Sequence, residues 1–186
     1  MLKYCDFIKN IKKSVLNDFY FNSLTPSNRD FVEDNFSDYS YILGNNKDIK
    51  DFMFILFLFH LSHDYSRKEF MNKIVEYVIN NSINFSSYDI CDIYTSVIKC
   101  GGHFSNNTDI LIKVCENYID LYLNNNEVEN FHCLNIAYSK LFINYIKKEK
   151  YNEAKGLYLN SFSTGIKFIE SINFSNALKE MDEHFV

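Results

Sequence analysis

The stretch SSYDICDIYTSVIKCGG, residues 86–102, decides the fold. Ser86 and Asp89 stand three apart, the spacing at which a hydroxyl accepts from one free amide at a helix start while the acid reaches back to another. Ile90, Ile93, Tyr94, Val97 and Ile98 follow at the three- and four-residue spacing of one helical face. Gly101-Gly102 then stops the helix, since glycine readily takes the left-handed conformation that ends one. A start signal, an apolar stripe and a stop signal therefore agree within seventeen residues.

The same grammar extends in both directions. Upstream, Ser66-Arg67-Lys68-Glu69 is a second capping box, opening a helix with Phe70, Ile74, Tyr77 and Val78 on one face and ending near Asn80-Asn81. Before it, the apolar run from Phe52 to Leu61 is broken only by His60 and reads as a buried helix from about Asp48 to Ser62. It spans about half of the roughly 20 residues needed to cross a bilayer. The first segment carries Tyr4, Phe7, Ile8, Ile11, Val15 and Phe19, and Thr25-Pro26 caps a second that runs to Leu43 and Gly44. Downstream, helices are expected from Thr108 to Leu123, Phe131 to Lys148, Tyr151 to Phe162 and Ser175 to Phe185, with a short segment around Ile166 to Ile169.

Five Gly and one Pro among 186 residues are too few to punctuate a many-stranded sandwich or barrel. The expectation is an all-α protein, residues 1–186 forming a single α-helical domain of about eight or nine helices joined by short turns and packed as antiparallel hairpins. With 47% apolar and 17% aromatic residues, its core is built from rings.

From Ala137 the pattern resembles a tetratricopeptide repeat. Ala137, Leu141 and Tyr145 on one helix, then Tyr151, Ala154 and Tyr158 on the next, occupy the family's small and aromatic positions over residues 137–166. Phe142 departs from the pattern by standing at a usually small position, and Ile166 stands where the family often has proline. The resemblance implies a helical-repeat-like hairpin and, for function, protein binding.

Charge narrows the partners. Nineteen basic against 24 acidic residues give a net charge of −5, and only Arg29 and Arg67 are arginine, so direct nucleic-acid binding is not expected. The five cysteines are odd in number and lack a Cys-x-x-Cys pair, which suits buried thiols in a reducing compartment and a cytoplasmic location. The N-terminus has no signal-peptide pattern, and no membrane association is expected.

Chemical sites are sparse. His60, His63 and Asp64 have helical spacing for a metal, but the glutamate of a His-Glu-x-x-His motif is absent, so neither metal nor cofactor is expected. His132 and Cys133 are adjacent on a helix and point about 100° apart, which rules them out as a proton-sharing pair. No catalytic residue is assigned, and an enzyme is not expected.

The acidic groups read better as recognition features. Asp30, Glu33, Asp34 and Asp38 share one helical face, with Phe36, Tyr39 and Tyr41 interleaved, a surface suited to the Lys and Arg of a partner. Smaller groups are Asp89 with Asp92, Glu116 with Asp120, Glu127 with Glu129, and Glu180 with Asp182 and Glu183.

In overall character this acidic, all-helical, Asn- and Lys-rich chain is similar to immunity proteins of bacterial toxin–immunity systems, including contact-dependent growth inhibition. The resemblance implies a cytoplasmic protein that covers the basic active site of a cognate nuclease toxin. Two alternatives stand beside it: a viral helical bundle that captures host apoptotic or signalling proteins, and a metal-dependent helical hydrolase using His60, His63 and Asp64.

Overall fold

The computed structural model describes residues 55, 59, 68–99, 107–124 and 131–186. Among these the regular elements are six α-helices and one 3-10 turn: α1 (Lys68–Asn80), the turn Ser82–Asn84, α2 (Ser87–Lys99), α3 (Thr108–Asn124), α4 (Phe131–Lys147), α5 (Tyr151–Thr164) and α6 (Ile172–His184). The all-helical reading holds for all of them. The segments expected before residue 48 lie outside the described residues, as do the Ser66 capping box and Gly101-Gly102. Chain length suggests one domain; internal contacts divide the chain into two compact units, Met1–Asn84 and Phe85–Val186.

In the first unit, α1 buries Phe70, Ile74, Tyr77 and Val78, the stripe that the periodicity marks, and with them Met71 and Val75. Asn81 ends it by returning both its backbone N–H and its side-chain amide to the Tyr77 carbonyl, at 3.0 and 2.8 Å. Ile55 and Phe59 are helical, four residues apart and fully buried, in agreement with a buried helix through the apolar run.

The second unit contains the other five helices. The Ser86 capping box forms in both directions: the Asp89 N–H donates to Ser86 Oγ at 3.2 Å, and the Ser86 N–H donates to Asp89 Oδ2 at 3.4 Å. Asn107 caps α3, its Oδ1 accepting from the Ile110 N–H at 3.3 Å. Consecutive helices pack as neighbours throughout, and α4 additionally touches both α2 and α6. The reason is the amount of apolar surface on α4, which buries ten residues from Cys133 to Ile146, including Leu134, Ala137, Tyr138, Leu141 and Phe142. A helix apolar around most of its circumference must be covered on several sides.

The turn from α4 to α5 is a Schellman motif. The Lys150 N–H bonds the Tyr145 carbonyl at 2.9 Å and the Glu149 N–H bonds that of Ile146 at 2.8 Å, which puts Glu149 in the left-handed region at φ 57°. Gly165, at φ 69°, ends α5 at the same kind of position, where the absence of a Cβ removes the steric cost.

Two boundaries differ from the sequence reading. Residues 166–170 are not helical but form an extended strap. Its N–H groups are satisfied by α4 side chains, Lys167 donating to Asn135 Oδ1 at 3.1 Å and Ile169 to Ser139 Oγ at 2.7 Å. Asn135 and Ser139 lie one helical turn apart, the reach of two alternate residues of an extended chain. Helix α6 begins at Ile172 rather than Ser175, because Ser171 caps it by accepting from the Phe174 N–H at 3.1 Å.

Between its two exposed neighbours the strap sends Phe168 into a ring cluster. Phe142 of α4, fully buried, lies 5.6 Å from Phe168, 5.1 Å from Phe174 of α6 and 6.0 Å from Tyr158 of α5. Such ring pairs each add about 0.5–1.5 kcal/mol beyond area burial. Phe142→Ala is therefore expected to cost about 3–5 kcal/mol in urea unfolding. At the helix turn the sign reverses: Glu149→Gly relieves a left-handed non-glycine residue and is expected to stabilise by about 1 kcal/mol, read as a raised thermal midpoint.

Candidate interaction surface

Asp30, Glu33, Asp34, Phe36, Asp38, Tyr39 and Tyr41, the acidic and aromatic face expected from the sequence, lie outside the described residues, as do His60, His63 and Asp64. Among the described residues no three His, Cys, Asp or Glu side chains converge in a way that could hold a metal ion, and no helix is long and apolar enough to cross a membrane.

His132 and Cys133 are parted as their spacing requires, the imidazole exposed and the thiol in the core. Cys91, Cys115 and Cys133 are buried thiols, contributed by α2, α3 and α4. Burial pushes the Cys91 thiol up to about 11, helped by the Asp92 charge, and that of Cys115 to about 12. At neutral pH both are protonated packing groups and not nucleophiles. Burial, with Cys133 beside it, also raises the Tyr118 hydroxyl. Polar links stitch these helices together: Asn117 donates to the Tyr94 hydroxyl at 3.2 Å, and the Tyr145 hydroxyl donates to Glu116 Oε1 at 2.6 Å. Burial and that carboxylate hold the Tyr145 hydroxyl above the ordinary tyrosine range.

Chemistry-bearing side chains meet at the surface where α5 starts and α6 ends. Tyr151, the first residue of α5, is clamped by two residues one turn apart on α6. Its hydroxyl donates to Glu180 Oε1 at 3.2 Å, and its ring stacks on the His184 imidazole at 3.9 Å and 16°. Burial and the Glu180 carboxylate raise that hydroxyl, so the bond persists through neutral pH and is lost in the alkaline range. Phe185 stands edge-on to His184 at 5.1 Å, and the Lys155 ammonium rests 4.0 Å from the Phe185 ring centre.

Around these rings Glu153, Glu180, Asp182 and Glu183 are exposed, and only Glu183 has a nearby lysine, Lys179 at 3.6 Å, among the ion pairs of the described residues. Carboxylates beside ring faces can receive a cation twice, through charge and through the ring quadrupole. Lys155 on Phe185 is that contact made within the chain.

The sequence marked Glu180, Asp182 and Glu183 only as a minor acidic group and assigned His184 nothing. Glu180 and His184 are a visible (i, i+4) pair, but the ring they hold lies 29 residues from Glu180. The basic run Lys147, Lys148 and Lys150 is partly spent inside the molecule. Lys148 pairs with Asp109 at the start of α3 through both oxygens, at 2.8 and 3.0 Å, and Lys150 lies 5.7 Å from the Tyr145 ring centre.

Comparison with family models, with curated proteins and with solved structures finds no match for this chain.

The Lys148 bond, with Lys150 and Lys113 nearby, lowers the Asp109 carboxyl below its ordinary value. A lowered carboxylate contributes stability above its unfolded pKa and loses it as pH falls through the folded one. In a pH titration followed by carboxyl NMR, Lys148→Met is expected to move the Asp109 midpoint upward, and to shift the acid unfolding limb only slightly because the pair is exposed.

Proposed function

We propose that this protein is a cytoplasmic binding protein of the immunity type, which neutralises a basic partner, such as a nuclease toxin domain, by covering its active site. The observation that carries the reading is the ring-and-carboxylate surface at the α5–α6 end, where a lysine ammonium already lies on an aromatic face. A basic, phosphate-binding surface would find there the charges and rings that compete for its Lys and Arg side chains. The net charge of −5 adds long-range attraction and faster encounter. Occlusion then needs no catalytic residue, metal or cofactor of its own.

The packing order of the second unit supports a helical-repeat-like reading of its architecture. Helices α2 and α3 form one hairpin and α4 and α5 the next, while α4 also contacts α2 and α6. That is how stacked hairpins bury a continuous core. Ala137 and Ala154, the small positions of the tetratricopeptide-like hairpin, are completely buried, and Phe142 fills its departure from the pattern with the ring cluster. Such arrays present broad surfaces to other proteins. The acidic face from Asp30 to Tyr41 is proposed as a separate candidate surface for a basic partner.

The test is association with the toxin domain encoded next to this protein's gene, followed by stopped-flow kinetics. Glu180→Lys, Asp182→Lys and Glu183→Lys together, and separately Asp30→Lys, Glu33→Lys, Asp34→Lys and Asp38→Lys, are expected to slow association by about tenfold or more at low salt and much less at about 0.5 M salt. Helicity should be unchanged. Absence of any complex with a basic nuclease domain overturns the reading. A complex formed at an unchanged rate by both variants removes these two surfaces from it.

A further inference from the structure

Residues 166–186 are tied to the second unit more thinly than the helices they pack on. Helices α3 and α4 bury seven and ten residues, and are joined by Tyr145 on Glu116 and Lys148 on Asp109. Helix α6 buries only Phe174, Ala177 and Met181, and among the described residues no ion pair links it to another element. Its links to α5, through Glu180 and His184 on Tyr151 and through Phe185 under Lys155, lie at the surface.

The inner attachment is concentrated in the strap. Two of its N–H groups bond Asn135 and Ser139 of α4, and Phe168 enters the ring cluster. Phe168 and Phe174 stack at 4.8 Å and 21°, and both lie against Phe142. Just before the strap, Gly165 stands at φ 69° with nothing within 4 Å of the place its Cβ would take. A glycine in open space is a joint that turns without collision.

We propose that residues 166–186 form a latch that opens as one unit about Gly165 while α2 to α5 stay folded. The Phe168–Phe174 stack makes the strap and α6 leave together. Once lifted, α6 has thirteen residues and no packed face, too few to remain helical in water. Phe142 and Tyr158 still pair at 6.0 Å on α4 and α5. Opening withdraws Glu180 and His184 from Tyr151, so the latch decides whether the ring-and-carboxylate surface exists. Its bearing on partner binding rests on the function proposed above; the opening itself does not.

Ser139 is where the latch can be loosened without harming α4. Its buried hydroxyl donates to the Asn135 carbonyl at 2.8 Å and accepts from the Ile169 N–H at 2.7 Å. Alanine there is a better helix former and leaves the Ile169 N–H without its acceptor.

Hydrogen exchange of the full chain in low denaturant, read residue by residue by NMR, tests the proposal. The amides of Lys167 and residues 175–184 should share one opening equilibrium, at least about a hundredfold more open than the slowest amides of α3 and α4. Its denaturant dependence should be a small fraction of that for global unfolding. Ser139→Ala should raise exchange of all these amides by one common factor, about fivefold or more, although none of them bonds Ser139. Phe168→Ala should strip most of their protection while the amides of α3 and α4 stay at least about tenfold slower. Latch amides that open only with α3 and α4, at the same denaturant dependence, overturn the proposal. So does a Ser139→Ala effect confined to Ile169. A Phe168→Ala chain with an open latch that still associates with the toxin domain at the parent rate supports the latch and removes the α5–α6 surface from the binding function.

Discussion

The burial of Phe142 among rings from three other segments is the contact on which the C-terminal unit depends. Phe168 from the strap, Phe174 from α6 and Tyr158 from α5 all lie within 6.0 Å of it, centre to centre. Phe168 also lies 4.8 Å from Phe174 and 5.7 Å from Tyr158, so the cluster is closed on itself. Helices α5 and α6 bury few residues of their own, two and three respectively. Their attachment therefore rests on a small number of large rings, where a single truncation removes both transfer free energy and packing.

That constraint explains why the strap is extended. A helix through residues 166–170 would carry its own hydrogen bonds but would turn Phe168 and Ile166 through about 200° relative to each other. In the extended form both side chains point inward, and Ile166 is buried. The backbone is compensated by Asn135 and Ser139, while Ser139 itself donates to the Asn135 carbonyl at 2.8 Å. Polar side chains on a buried helix thus do the work that a strand neighbour would do in a sheet.

The surface follows from the core. Because α6 is held by Phe174, Ala177 and Met181, its other positions face water, and Glu180, Asp182, Glu183 and His184 project from one end. The same anchoring brings α6 to the first turn of α5, where Tyr151 bridges the two. Helix α5 contacts α4 and α6 through a narrow stripe, leaving Leu159 and Phe162 outward.

Helix identity and the buried stripes of α1 and α2 were legible in the residues, because caps and three- and four-residue periodicity are local properties of a few neighbouring positions. Ser86 with Asp89 and the stripe Ile90, Ile93, Tyr94, Val97 and Ile98 needed no tertiary information. The early start of α6 was legible in principle, since Ser171 is an ordinary cap. What only the tertiary structure decided is everything that couples distant turns: the strap on Asn135 and Ser139, Lys148 on Asp109, and Tyr151 between Glu180 and His184. Those contacts depend on how helices cross, and crossing is set by the volumes of Phe142 and its neighbouring rings acting together, a quantity that no single window of sequence contains.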